Sequence, residues 1–138
     1  MREEQSESMS ELTPQDDSLA GPYFEAAAQG RLVVQRCDSC KNLRWPPLSG
    51  CPDCHSRDTT WVEVKPSGTI WSFVVYRRAF QPELRSQIPY TVAMVELDDG
   101  PYLIGRLVAG DRAPVVGDRV VADIGDVDGR PTVRWRIS

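Results

Sequence analysis

Histidine is nearly missing from this sequence, His55 being the single example, and no cysteine stands outside two tight pairs. That leaves no spare thiol as a nucleophile and no second imidazole as a base. There is also no Ser-containing elbow and no Gly-rich phosphate loop. Long apolar runs are absent. The longest are strand-sized, far below the roughly 18 residues that a membrane-spanning helix needs. The N-terminal MREEQSESMSELTPQDD lacks the apolar centre of a secretory signal. The cytoplasm is the expected location, and thiols stay reduced there.

A strong charge of one sign is missing too, although the net value of −4 hides this. Residues 1–20 hold Glu3, Glu4, Glu7, Glu11, Asp16 and Asp17 against Arg2, leaving 14 acids and 15 bases in the rest. Nucleic-acid binders usually carry a pronounced basic face, because phosphate neutralisation supplies most of their non-specific affinity. The near-neutral remainder argues against that partner. The remaining carboxylate candidates, Asp98 with Asp99 and Asp126 with Asp128, sit at turns where solvated acids belong.

At 138 residues the chain fits one domain, or a small domain with an appendage. Residues 1–20 are acidic and polar, and are expected to be a disordered tail. GPYFEAAAQG predicts one short helix, with Pro22 in its first turn, Gly30 after its end, and Tyr23, Phe24, Ala27 and Ala28 at helical spacing. RLVVQR reads as a strand leading into the cysteines. TTWVEV, GTIWSFVVYRRAF, YTVAMVEL, PYLIGRLV, DRVVADI and TVRWRI follow as short strands. Asp98-Asp99-Gly100 and Asp128-Gly129 read as hairpin turns, and Gln81–Pro89 as an open loop. The expected architecture is mainly β: the helix with a metal-binding ribbon over residues 21–62, then a small five-stranded OB-type barrel over 63–138. Trp61, Trp71 and Trp135 lie within strands and are assigned to packing, as is Trp45 beside Pro46 and Pro47.

Cys37 and Cys40 form one C-x2-C pair, and Cys51 and Cys54, ten residues further on, form another. Two intervening residues let the chain curl so that both sulfurs face one point, and four thiolates close a tetrahedral shell at about 2.3 Å each. A closed shell admits neither water nor substrate, so the ion is structural. Iron uses the same ligand set in rubredoxins, but with pairs much farther apart in sequence, which favours zinc. His55 follows the fourth cysteine and is expected to be solvated, or beside the site without ligating.

The order GPYFEAAAQGRLVVQRCDSC, WPPLSGCPDC, WVEVKPSGTIWSFVVYRRAF, PYTVAMVELDDGPYLIGRLV and VGDRVVAD resembles the acyl-CoA-associated OB-fold proteins with an N-terminal rubredoxin-like zinc ribbon. The resemblance runs over roughly residues 21–137. It implies a non-catalytic companion of a thiolase-fold enzyme (a thiolase, an acyltransferase, or an aldolase acting on steroid or fatty side chains) in a hetero-oligomer. Such a companion helps to frame the partner's acyl-CoA site. Some members are fused to a hydratase-like domain; here the acidic tail stands where such a domain would connect, as in a free subunit or an excised domain. The connection GDRAPVVGD is too short for the helix that many OB barrels carry there.

Arg77, Arg78 and Arg85 bracket Phe80 at the start of the open loop, where cations beside an aromatic suit a partner protein or the phosphates and adenine of coenzyme A. They equally suit a solvated sheet edge. Tyr23 and Phe24 join them as candidate contacts if the helix docks outward. Zinc ribbons and OB barrels also occur in single-stranded nucleic-acid binding, which stands as the alternative.

Overall fold

The computed structural model describes residues 19–108, 110–127 and 129–138. The acidic tail through residue 18, and Asp128 of the expected hairpin, lie outside the described residues.

Helix α1 (Gly21–Ala28) begins with Pro22 in its first turn. It ends in a Schellman motif: Gly30 N–H donates to Ala27 C=O at 3.0 Å and Arg31 N–H to Ala26 C=O at 2.9 Å, with Gly30 at φ +79°. Its buried face is Tyr23, Ala26 and Ala27, with Phe24 at the margin. Ala28, expected in the stripe, is exposed, because i+3 and i+4 from Tyr23 fall on Ala26 and Ala27.

The ribbon sheet has the order β2-β1-β3, where β1 is Val33–Cys37, β2 Leu43–Arg44 and β3 Thr59–Glu63. Five strands then close a barrel in the order β4-β5-β6-β8-β7: β4 Ser67–Tyr76, β5 Tyr90–Leu97, β6 Tyr102–Leu107, β7 Arg119–Val127 and β8 Arg130–Ile137. Among the described residues the barrel closes without a helix between β6 and β7, since Gly68 pairs with Val120 across β4 and β7, and β6 meets β8 in parallel at Leu107 and Trp135. Helix α1 packs on β7 and β8 as well as on β1, so the apolar cover comes from the N-terminal side instead.

β4 ends at Tyr76, opposite Tyr90, so the expected strand through Phe80 is four residues too long: beyond Tyr90 there is no partner strand to pair with. The open loop contains one 3-10 segment, Pro82–Gln87. Gly68 and Ile70 face the interior of β4, so alternation puts Trp71 on the outer face, where it is 54% exposed. That corrects its assignment to packing in the core; the register shift between Ile70 and Ser72 leaves Ser72 on the same outer face, opposite Met94. Trp135 is fully buried, among Ile70, Ala93, Val95, Leu97, Leu103, Val120 and Val133. The same core contains Tyr23, Ala27, Leu32, Val34 and Val64, so ribbon, helix and barrel share one apolar interior.

Candidate metal centre and contact surface

Each cysteine pair sits in a knuckle closed by the backbone. Lys41 N–H donates to Cys37 C=O and His55 N–H to Cys51 C=O, both at 2.8 Å. Lys41 (φ +70°) and His55 (φ +68°) are the only non-glycine residues with positive φ among the described residues, one directly after each pair. A left-handed residue there reverses the chain so that both sulfurs of a pair face inward. The amides point the same way: Cys40 N–H lies 3.5 Å from Cys37 Sγ, and Asp53 N–H lies 3.4 Å from Cys51 Sγ. His55 therefore contributes its backbone geometry rather than its imidazole.

The four sulfurs lie within 4.8 Å of one another, with Cys37 to Cys54 at 3.5 Å and Cys40 to Cys51 at 3.6 Å. Zinc at about 2.3 Å from four sulfurs needs neighbouring sulfurs about 3.8 Å apart, so the donor set fits that ion. The electrostatics agree. The backbone of Cys40, outweighing burial, brings the Cys37 thiol down to about 6. At Cys54 the backbone of Ser56 favours the thiolate, but the sulfur of Cys37, burial, and the sulfurs of Cys51 and Cys40 push it up to about 12. Four thiolates in this volume repel one another unless a cation joins them. Zinc bound to all four supplies a fixed cross-link and leaves no open coordination position.

A buried polar pair beside the knuckles, Gln35 and Arg44, was not legible in the sequence. Gln35 Oε1 accepts from Arg44 Nε and from Leu48 N–H, both at 2.8 Å, while Arg44 Nη2 donates to Thr59 Oγ1 at 2.7 Å and to Leu48 C=O at 3.3 Å. Both side chains are buried, and they pin the Pro46-Pro47 segment against β1. The one available signal was that Gln35 interrupts an apolar strand.

The turn acids are not simply solvated. Asp98 receives two hydrogen bonds from Arg119, at 2.7 and 2.9 Å, and one from Ser67 Oγ at 2.6 Å. Arg119, then Ser67, hold its carboxyl well below the usual carboxylate range. Asp99 Oδ2 accepts from Lys65 N–H at 2.9 Å. Together these acids fasten the ribbon-to-barrel joint to the β5–β6 turn.

The expected contact residues divide. Tyr23 is 8% exposed, its ring 4.2 Å from that of Trp45 and edge-on to Phe24, and burial pushes its hydroxyl up to about 12. It belongs to the interior, not to a docking face, because the helix turns it toward the ribbon–barrel core. Trp45 packs there as expected. Phe80 is 72% exposed, with the Arg78 guanidinium 5.9 Å from its ring centroid, and Arg77 and Arg85 are exposed nearby in sequence. Among the described residues no ion pair engages these three arginines. Sequence reasoning missed the outward face of β4 and β6, where Trp71, Val74, Tyr102 and Ile104 are exposed and Trp71 meets Tyr102 edge-on at 5.3 Å.

Comparison with known proteins follows the same division. Residues 24–60 match the family described as "ChsH2, rubredoxin-like zinc ribbon domain", and residues 61–125 match "ChsH2, C-terminal OB-fold domain". A solved chain from the "Ltp2-ChsH2(DUF35) aldolase" superposes with a TM-score of 0.81 at 36% identity, covering 90% of this chain and 98% of that one. A "Probable enoyl-CoA hydratase alpha subunit" of Thermomonospora curvata is 44% identical over 107 residues, which are 73% of this chain and 33% of that protein. The "Benzoylsuccinyl-CoA thiolase subunit BbsA" of Thauera aromatica is 27% identical over 120 residues, 82% of this chain and 81% of that one. This chain thus spans about a third of the hydratase subunit's length. No helix among the described residues is long and apolar enough to cross a membrane. With four sulfurs converging in a ribbon joined to a closed five-stranded barrel, and with both parts matched, the chain belongs to the ChsH2 family of DUF35 proteins, rubredoxin-like zinc ribbons followed by an OB fold.

Proposed function

We propose that this protein is a non-catalytic companion subunit that docks on a thiolase-fold enzyme and helps to form its acyl-CoA site in lipid or steroid breakdown. The observation that carries this reading is the likeness, at 36% identity over nearly the full length, to the ChsH2 chain of an aldolase assembly. The likeness to a thiolase subunit supports it. So does the side-chain inventory: the cysteines are taken by the metal site, and the lone histidine sits on a knuckle. Zinc is a clamp here, and the ribbon (21–62) and barrel (63–138) act as one rigid body in the cytoplasm. Docking uses the outward face with Trp71, Val74, Tyr102 and Ile104, together with the loop residues Arg77, Arg78, Phe80 and Arg85 and, on the helix, Phe24. Exposed aromatics and arginines are the residue types that dominate protein interfaces.

Copurification with a thiolase-fold partner, followed by acyl-CoA turnover assays on the complex and on each part, tests the reading. The complex is expected to be active and this chain alone inert. Turnover by the isolated chain counts against the proposal. Reversing charge at Arg77 and Arg78 should spare folding and weaken the complex; intact binding and intact turnover in that variant would remove these loop residues from the docking surface.

A further inference from the structure

A cleft of about 440 Å³ opens on the barrel wall where the start of β5 approaches the single-pair seam between β6 and β8. That volume lies within the range of small-molecule sites, roughly 300–1,000 Å³. Its polar lining comes from Gln87, Tyr90, Thr91, Arg106, Thr132 and Arg134, and no carboxylate lines it. Pro89, Leu107 and Val108 add an apolar margin.

Arg106 is held ready for a ligand. Its guanidinium lies 4.0 Å from the centroid of the Tyr90 ring, and its Nη2 donates to Gln87 Oε1 at 2.7 Å. A guanidinium has five N–H donors, so most of the fork stays available for an incoming acceptor. No ion pair neutralises Arg106 among the described residues. Arg134, which also lines the cleft, is only partly neutralised, because Asp123 Oδ2 is shared with Arg136, at 3.1 and 2.9 Å. Two arginines lining one cleft without a lining carboxylate match a multiply charged oxyanion better than a single carboxylate.

We propose that this cleft binds the phosphate end of a phosphate-bearing small molecule, with Arg106 as its main contact and Arg134 as the second. The phosphate chemistry stands on the cleft itself. Identifying the bearer as a coenzyme A thioester, whose pantetheine arm would follow the apolar margin, rests on the companion-subunit reading above.

The test is calorimetric titration of the full zinc-loaded chain with coenzyme A, pyrophosphate, acetate and a single-stranded oligonucleotide at matched ionic strength, with amide NMR shifts locating each response. Coenzyme A and pyrophosphate are expected to bind saturably, with shifts centred on Thr91, Arg106 and Thr132, and acetate is not. In the Arg106→Gln variant both affinities should fall about tenfold or more, the loss of a charge-assisted hydrogen bond, while the thermal midpoint stays unchanged. Three results would overturn the proposal: no saturable phosphate binding, equal binding by the variant, or an oligonucleotide preferred over coenzyme A. Pyrophosphate binding without coenzyme A binding would retain the phosphate site and remove the thioester as its bearer. Copurification of Arg106→Gln with the thiolase-fold partner is read separately, so failure of docking and failure of the cleft stay distinguishable.

Discussion

Lys41 and His55 hold a backbone conformation that ordinary L-residues adopt at a cost of roughly 1–2 kcal/mol, which glycine escapes. Glycine loses more backbone entropy on folding, about 0.5–1 kcal/mol, so the two effects partly offset. Lys41→Gly and His55→Gly are each expected to raise stability by about 0.5–1 kcal/mol with zinc content unchanged, read by urea denaturation of the loaded protein. Loss of zinc in His55→Gly would mean that the imidazole does more than close a turn. Asp98 shows the other side of residue-scale design. Its folded pKa is depressed, so its stabilisation is present above the unfolded carboxylate value of about 3.9 and is lost as pH falls toward the folded value. Asp98→Asn should lower the melting temperature at neutral pH, and the gap to wild type should close progressively below about pH 4.

Among the elements, β4 carries the tightest constraint. A Cβ at Gly68 would collide with the Glu96 carbonyl oxygen and lie 2.7 Å from a Val95 methyl, so β4 and β5 would have to part where the barrel begins. Gly68→Ala is expected to cost about 1–3 kcal/mol or more, as overpacking does, visible as a lower urea midpoint. Gly105 is set the same way against Trp135, with 2.9 Å left for a Cβ. Three residues along from Gly68, on the opposite face of the strand, Trp71 stands out beside Tyr102. One strand thus seals the interior at its start and presents an aromatic surface immediately afterwards.

For the molecule as a whole, the shared interior makes the zinc site a determinant of barrel stability. The metal-binding free energy of such modules is folding free energy, and β1 supplies Val34 to the core that holds Trp135. Chelation, or Cys40→Ser, should therefore unfold the ribbon and lower the barrel's melting temperature together. In the loaded protein, zinc release and loss of β-structure should follow one thermal transition. Two well-separated transitions would show that ribbon and barrel are energetically independent, and that Tyr23 and Val34 contribute little across the joint.

The metal site was legible in the sequence because its determinants are local: two C-x2-C pairs fix ligand type, number and curl whatever surrounds them. Most strands were legible for a similar reason, since alternation and turn residues are read within a few positions. Where the structure departs, the cause is non-local. Strand β4 stops at Tyr76 because its partner begins at Tyr90, and Trp71 faces outward because barrel closure commits Gly68 and Ile70 to the interior. Tyr23 turns inward because β1, β7 and β8 converge on α1. Asp98 finds Arg119, and Arg106 and Arg134 come to line one cleft, each between segments well separated in the chain. Composition and spacing alone determined a four-cysteine zinc ribbon followed by a run of short strands. Which side chains meet, and which surface remains exposed, was decided only when the barrel closed, because strand pairing brings distant residues within hydrogen-bonding reach.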